Sequence, residues 1–266
     1  MDNHDDRLDN LTVTEDQRGT MQPTPTAPKI IVSYDGTEND TDALAFGQLL
    51  ARAGGSLSLA YVRHAVEADP DREAQASAEA AELLLNGATW LGLPDVPQHV
   101  IVSGSTPDGL RILAEREQAD IVVFGSEYRT SPGSVQPGTS ALRLLEGGPI
   151  AVGLAPAGYA AKASILTVAA VGEDGDPGPR ETAASLAAAL GAEVVPSGGG
   201  ETSAVVVGSK PGTAAGRVTL SAAAQYLIEL IRCPVLVLPH GVALRFGGPA
   251  VPAGPTAPAG AAGPAG

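Results

Sequence analysis

The stretch from residue 121 to residue 145 constrains the fold more than any other part of the chain. It begins with an apolar run, Ile121–Phe124, that is short enough to be a strand buried on both faces. Gly125 ends this run, a polar loop follows, and a helix is predicted to begin at Gly138-Thr139. The first N–H groups of a helix lack partners, and the helix dipole favours negative charge there. A strand, loop and helix in this order can therefore build an anion site.

The same alternation of strands and helices continues through the first half of the chain. Amphipathic stretches separate short apolar runs, and they include a helix start at Thr106, whose hydroxyl is predicted to cap it ahead of a proline. Alternating elements imply crossover connections and a parallel sheet with helices on both faces. The predicted class is an α/β fold with an open five-stranded parallel sheet, whose strands are expected at residues 29–34, 56–62, 96–102, 121–124 and 149–154.

Both ends of the chain have compositions that cannot form a core. Residues 1–28 are acidic and rich in proline, and residues 246–266 consist almost entirely of Gly, Pro and Ala. Such segments bury too little apolar area to offset the conformational entropy lost on ordering. We expect disordered tails there, and a first folded domain at residues 29–156.

The overall charge limits the classes of partner. A net charge of −14 argues against nucleic acid and anionic membranes as partners. A nucleotide is not excluded, because charges are screened over about 8 Å at physiological salt. The single cysteine, Cys233, excludes an intramolecular disulfide framework. With no apparent signal peptide or membrane span, the expected location is the cytoplasm.

Residues 164–240 resemble a shortened repeat of the first domain. Matching Gly191 to Gly55 and Gly208 to Gly125 aligns strands and helices of the two halves. These matches leave the second half without a third strand and its neighbouring helices. We therefore predict a degenerate second copy of the same fold, with Val171 at the position of Asp35 and Pro211 at the position of Tyr128.

Three short motifs lie next to predicted strands: Asp35-Gly36-Thr37 follows the first strand, Gly125 and then Gly138-Thr139 follow the fourth, and Cys233-Pro234-Val235 begins the last. Together they resemble the universal stress protein family in its tandem, two-domain form, whose glycine spacing Gly125 and Gly138-Thr139 match. The resemblance covers residues 29–239. It implies a sheet in the order 3-2-1-4-5, ATP binding in some members, and tandem halves that pair internally. Dimers in the family form through the last strands, so a homodimer is also an expectation.

The resemblance implies a set of site residues. Asp35 would meet the adenosine part, or a Mg²⁺ ion bound with the phosphates, and in that strand order it lies beside Gly125 at the point where the order reverses. Each residue also has a purely structural explanation, such as turn capping for Asp35, helix capping for Thr139, strand packing for Val62 and solvation for Arg129. The candidate binding residues are Asp35, Val62, Gly125, Arg129, Gly138, Thr139 and Ser140.

Position 128 departs from the family pattern, because Tyr128 stands where the family has glycine. If the glycine is needed for a positive φ, a tyrosine costs about 1–2 kcal/mol. If it is needed for close approach, the ring blocks the phosphates, and in a third arrangement the ring covers the ligand.

Two functions remain in view. The first is a stress-response or regulatory protein that binds ATP or a related adenine nucleotide in its N-terminal domain, with at most slow ATP hydrolysis. The alternative is a nucleotide-free scaffold that keeps the fold and interacts with other proteins.

Overall fold

The computed structural model describes residues 27–172, 175–197 and 201–247. Nearly all of both predicted tails lies outside these ranges. The C-terminal tail was predicted to begin at residue 246, but the folded part includes Phe246. This residue is buried, and its backbone N–H donates to Ser185 Oγ (2.7 Å).

Strands and helices alternate along the described chain as the sequence predicts. The first half contains β1 (Lys29–Ser33), α1 (Asp40–Arg52), β2 (Ser56–Arg63), α2 (Pro70–Leu91), β3 (Gln98–Val102), α3 (Thr106–Glu117), β4 (Ile121–Phe124), α4 (Thr139–Leu145) and β5 (Ala151–Leu154). A 3-10 helix (Tyr159–Lys162) leads to β6 (Thr167–Val171), α5 (Gly178–Leu190), β7 (Glu193–Val195), β8 (Ala204–Val207), α6 (Ala222–Leu230) and β9 (Val235–Val237).

All these strands belong to one nine-stranded sheet in the order β3-β2-β1-β4-β5-β9-β8-β6-β7. The first five strands are neighbours in the predicted order, but the prediction of a five-stranded sheet was wrong. The sheet continues into the second half because β5 pairs with β9, its only antiparallel neighbour, with Gly153 opposite Leu236. All other strand pairs are parallel.

The second half arranges its strands as the first half does. Read from the outer end of each half towards the β5–β9 junction, the order β7-β6-β8-β9 corresponds to β2-β1-β4-β5. In the first half β3 lies beyond β2, but no strand of the described chain lies beyond β7.

Each face of the sheet carries one hydrophobic cluster that draws on both halves. Helices α1, α2 and α5 contribute buried side chains to one cluster, and α3, α4 and α6 contribute to the other. In the first cluster, Phe46 and Tyr159 meet edge to face with ring centroids 6.4 Å apart, a favourable aromatic geometry. The two halves therefore share their cores.

Two predicted helix caps were wrong by one residue. Ser105, not Thr106, is the N-cap of α3, because its extended backbone lets its hydroxyl accept from Asp108 N (3.4 Å). The N-cap of α4 is Gly138, so Thr139 is the first helical residue and does not cap the helix.

Across the part of the chain that the structure describes, no helix is both long and apolar enough to span a membrane.

Candidate functional site

A cavity of about 270 Å³ lies at the carboxyl ends of β1 and β4. These neighbouring strands connect to elements on opposite sides of the sheet, so the cavity occupies the position where ligands bind in open α/β sheets. Five of the seven predicted site residues line it: Asp35, Gly125, Gly138, Thr139 and Ser140.

The turn after β1 is organised by two carboxylates. Asp40 accepts hydrogen bonds from the backbone N–H groups of Asp35 and Gly36, while Asp35 Oδ1 accepts from Thr37 N (3.0 Å). Asp35 therefore has the structural role of holding the turn and also faces the cavity. Asp40 was not predicted as a site residue, although it lines the same cavity.

Asp40 is buried beside a second carboxylate. Its removal from water, and then the negative charge of Asp35, raise the pKa of the Asp40 carboxyl to about 8. Both effects favour the protonated form of the Asp40 side chain, which can donate a hydrogen bond as well as accept one.

Gly125 is needed for contact between two loops. A Cβ at this position would collide with the backbone oxygen of Asn39, which precedes α1. Asn39 also donates its side-chain amide to the carbonyl oxygens of Ser126 (3.0 Å) and Glu127 (2.9 Å). The glycine thus allows the loops after β1 and β4 to pack directly against each other.

Gly138 gives space to a carboxylate rather than to open solvent. A Cβ on Gly138 would lie 2.9 Å from Glu127 Oε2. The Glu127 side chain, which the sequence did not indicate, thus lies against the start of α4. This helix has only seven residues, so its dipole is weak and an anion there would face a nearby negative charge.

In this loop Arg129 (φ 67°) and Gly133 (φ 82°) have positive φ, and Tyr128 does not. Backbone strain is therefore excluded as an objection to tyrosine at position 128. The Tyr128 ring lines the cavity and is 61% exposed, with the Arg129 guanidinium 5.2 Å from its centroid. Arg129 stacks on this ring and is not among the residues that line the cavity.

The structure also does not bring Val62 to the cavity. Val62 is buried in β2 opposite Ile101, and a Cβ on Gly109 of α3 would lie 2.9 Å from its Cγ1. Its position is explained by packing between the sheet and α3.

The described lining of the cavity has an unusual charge. It contains three carboxyl groups, those of Asp35, Asp40 and Glu127, and no lysine or arginine. Hydroxyl groups supply the other polar atoms, from Thr37, Thr139 and Ser140 among others. Within the described ranges, no group of three or more His, Cys, Asp or Glu side chains is arranged to hold a metal ion.

The fold is that of an open α/β protein with a cavity at the reversal of strand order. Residues 27–156 match the model of the universal stress protein family. The N-terminal half therefore carries a domain of this family.

Solved structures resemble more of the chain than this domain. A universal stress protein from Archaeoglobus fulgidus DSM 4304 aligns with a TM-score of 0.60 and 13% identity, over 79% of this chain and 98% of its own. A putative universal stress protein from Pseudomonas aeruginosa UCBPP-PA14 aligns with a TM-score of 0.53 and 15% identity, over 81% and 94%. These likenesses show a shared fold across both halves. A search of curated proteins found no significant match.

Proposed function

We propose that this chain is a tandem universal stress protein whose N-terminal half binds ATP or a related adenine nucleotide, in a regulatory role in the stress response. One observation carries the proposal: the cavity lies inside the family-matched domain, with Asp35, Thr139 and Ser140 in its wall. The activity proposed is binding, with at most slow ATP hydrolysis.

The cavity wall suits a nucleotide that carries a divalent cation. Hydroxyl groups and the Asp35 carboxylate can bond ribose hydroxyls, and carboxylate with phosphate oxygens is the ligand set that Mg²⁺ prefers. Without a cation, phosphate would approach the carboxylates of Asp35 and Glu127, with no basic side chain among the described lining residues. Two unit charges 4 Å apart interact by about 4 kcal/mol at a protein surface, so Mg²⁺ is expected to be required.

A repeated hydrogen-bond network supports the tandem arrangement. Ser126 Oγ donates to Ala155 O (2.8 Å) and accepts from Gln136 N (3.2 Å). Ser209 Oγ donates to Leu238 O (2.8 Å), and the same oxygen accepts from Thr219 N (3.2 Å). Every partner in the second network lies 83 positions after its counterpart, as Ser209 does after Ser126. The two β-strand-to-loop segments therefore share one register without a gap.

In the second half, the place that corresponds to the first cavity is covered by the ring of Pro179. A Cβ on Gly172 or Gly208 would lie 3.1 or 2.7 Å from Pro179 Cγ. Pro179 thus packs across the ends of β6 and β8, where the first half has the turn of Asp35. This contact favours a single nucleotide in the chain, bound by the first half.

We expect calorimetric titration with ATP and Mg²⁺ to show binding, and chelation of Mg²⁺ to weaken it at least tenfold. Asp35→Asn is expected to weaken binding about tenfold by removing one charge-assisted hydrogen bond of ~1.5–3 kcal/mol. The amide oxygen can still accept from Thr37 N, so the turn should persist. Asp71→Asn, on an exposed turn of α2, is the matched control. Absence of heat up to millimolar ATP would refute the proposal.

A nucleotide-free scaffold is the second candidate, and the position of Glu127 against α4 favours it. Mass spectrometry of small molecules released from the purified protein separates the two: an adenine nucleotide supports binding, and its consistent absence supports the scaffold.

Tyr128→Gly tests what the ring does at the cavity mouth. Because Tyr128 is exposed and lines the cavity, we expect it to cover the ligand, and its loss to weaken ATP binding about tenfold, as for a base–aromatic stack worth ~1–3 kcal/mol. Tyr128→Phe keeps the ring and should bind as the wild type does. Tighter binding by Tyr128→Gly would instead show that the native loop is closed.

A further inference from the structure

A second cavity, of about 440 Å³, adjoins the first at Thr139, which lines both. It lies between the start of α3, the helix α4 with the loop that follows it, and the loop after β8. Apart from Thr139, no residue in its wall belongs to the family motifs or to the proposed nucleotide contacts. The charged residues in its wall are Asp108, Arg111, Arg143, Glu146 and Arg217.

The two cavities have opposite charge. The first has carboxyl groups and no basic side chain among its described lining residues, whereas the second has three guanidinium groups and two carboxylates. The chain has only 16 lysines and arginines and a net charge of −14. Three arginines around one cavity are therefore more than this composition would place there by chance.

The carboxylates leave the guanidinium groups largely available. Arg111 lies 3.9 Å from Asp108, and Arg143 lies 3.3 Å from Glu146. All four of these side chains are at least half exposed, so each pair is worth little and can exchange for a better partner. Arg217 donates from Nη1 to the backbone oxygen of Gly147 (3.2 Å), which leaves its other N–H groups for a ligand.

The backbone fixes Arg217 beside the other two arginines. Val218 exchanges hydrogen bonds with the loop after α4: Gly147 N donates to Val218 O (2.7 Å) and Val218 N donates to Gly148 O (2.9 Å). Val218 itself is fully buried. The cavity thus forms only where the second half docks on the first.

We propose that this junction cavity binds a phosphate group through Arg111, Arg143 and Arg217. Guanidinium forks match the oxygens of phosphate, and they provide the positive charge that the first cavity lacks. The group comes either from the terminal phosphates of a nucleotide that crosses Thr139 or from a separate phosphorylated molecule. The first source rests on the proposed nucleotide function, and the second does not.

The test compares adenosine, ATP with Mg²⁺, and pyrophosphate as calorimetric ligands for the wild type and for Arg111→Gln/Arg143→Gln. Both arginines are exposed, so the variant should fold, as thermal unfolding will verify. Arg116→Gln, on α3 but outside the cavity wall, controls for lost charge. We expect ATP binding to weaken at least tenfold, adenosine binding to change less than twofold, and the control to match the wild type.

The ligands separate the two sources and the two proposals. If the double variant binds ATP more weakly and the wild type does not bind pyrophosphate, the bound group is a phosphate of the nucleotide itself. Pyrophosphate binding that the double variant loses supports an independent phosphate site, and it does so even if ATP and adenosine never bind. Equal losses for ATP and adenosine, unchanged ATP and pyrophosphate affinities in the double variant, or no binding of either phosphate ligand by the wild type would overturn the inference.

Discussion

Gly125→Ala is expected to lower the free energy of unfolding by about 2–3 kcal/mol, at the upper end of the usual cost of overpacking. The added Cβ would collide with the backbone oxygen of Asn39 and lie 2.9 Å from its carbonyl carbon. Backbone atoms cannot rotate away as a flexible side chain can. The start of α1 would have to move from β4, which would strain the hydrogen bonds from Asn39 to Ser126 and Glu127.

The matched control is Gly104→Ala. A Cβ on Gly104 has no heavy atom within 4 Å, and its φ lies outside the left-handed region. This control is expected to change stability by less than ~1 kcal/mol, and to raise it if anything, because alanine restricts the unfolded chain. Chemical denaturation of both variants provides the comparison. If the two variants unfold at the same denaturant concentration, the loops are not in the contact described.

Asp40→Asn is expected to change how stability depends on pH. Burial and the neighbouring Asp35 raise the pKa of the Asp40 carboxyl to about 8, from an ordinary value of 3.8 in the unfolded chain. Between these values the folded protein binds more protons than the unfolded one, so this group makes stability fall as pH rises from about 4 to about 8. Asparagine mimics the protonated acid and keeps an acceptor for the N–H groups of Asp35 and Gly36.

The variant should therefore match the wild type near pH 4 and below, and exceed its stability by an amount that grows up to about pH 8. The excess is expected to be at least ~1 kcal/mol, given that one pKa unit corresponds to about 1.4 kcal/mol. Thermal unfolding across this pH range measures the difference. Asp71→Asn, with an exposed carboxylate, should follow the wild type throughout. A constant difference between Asp40→Asn and the wild type would show that Asp40 is already ionised at pH 5.

The sequence predicted the framework of the site better than its chemistry. Buried-type strands such as Ile121–Phe124 are local patterns, and the reversal of strand order places Asp35 near Gly125 once the order is known. The role of Gly125 depends on Asn39, a residue 86 positions earlier whose contact with it forms only on folding. Nothing in the local sequence shows that contact.

The sequence also did not predict the negative charge in the wall of the first cavity. Asp40, at the start of α1, and Glu127, in the loop after β4, are acidic residues in polar stretches, and such residues are usually solvated. Only the folded chain buries Asp40 beside Asp35 and turns Glu127 towards Gly138. The sequence also did not predict the left-handed backbone at Arg129, because the family's glycine falls at position 128. Loop conformation depends on packing that no short pattern encodes.

The antiparallel junction between β5 and β9 determines which edges remain for assembly. Both strands have neighbours on each side within the chain, so a homodimer through last strands would first have to break that ladder. Within the described chain, the free edges of the sheet are β3 and β7, at opposite ends. Joining the halves in one chain makes what would be a concentration-dependent association an intramolecular one. A second chain that extends the sheet would have to pair with β3 or β7, which have only five and three residues.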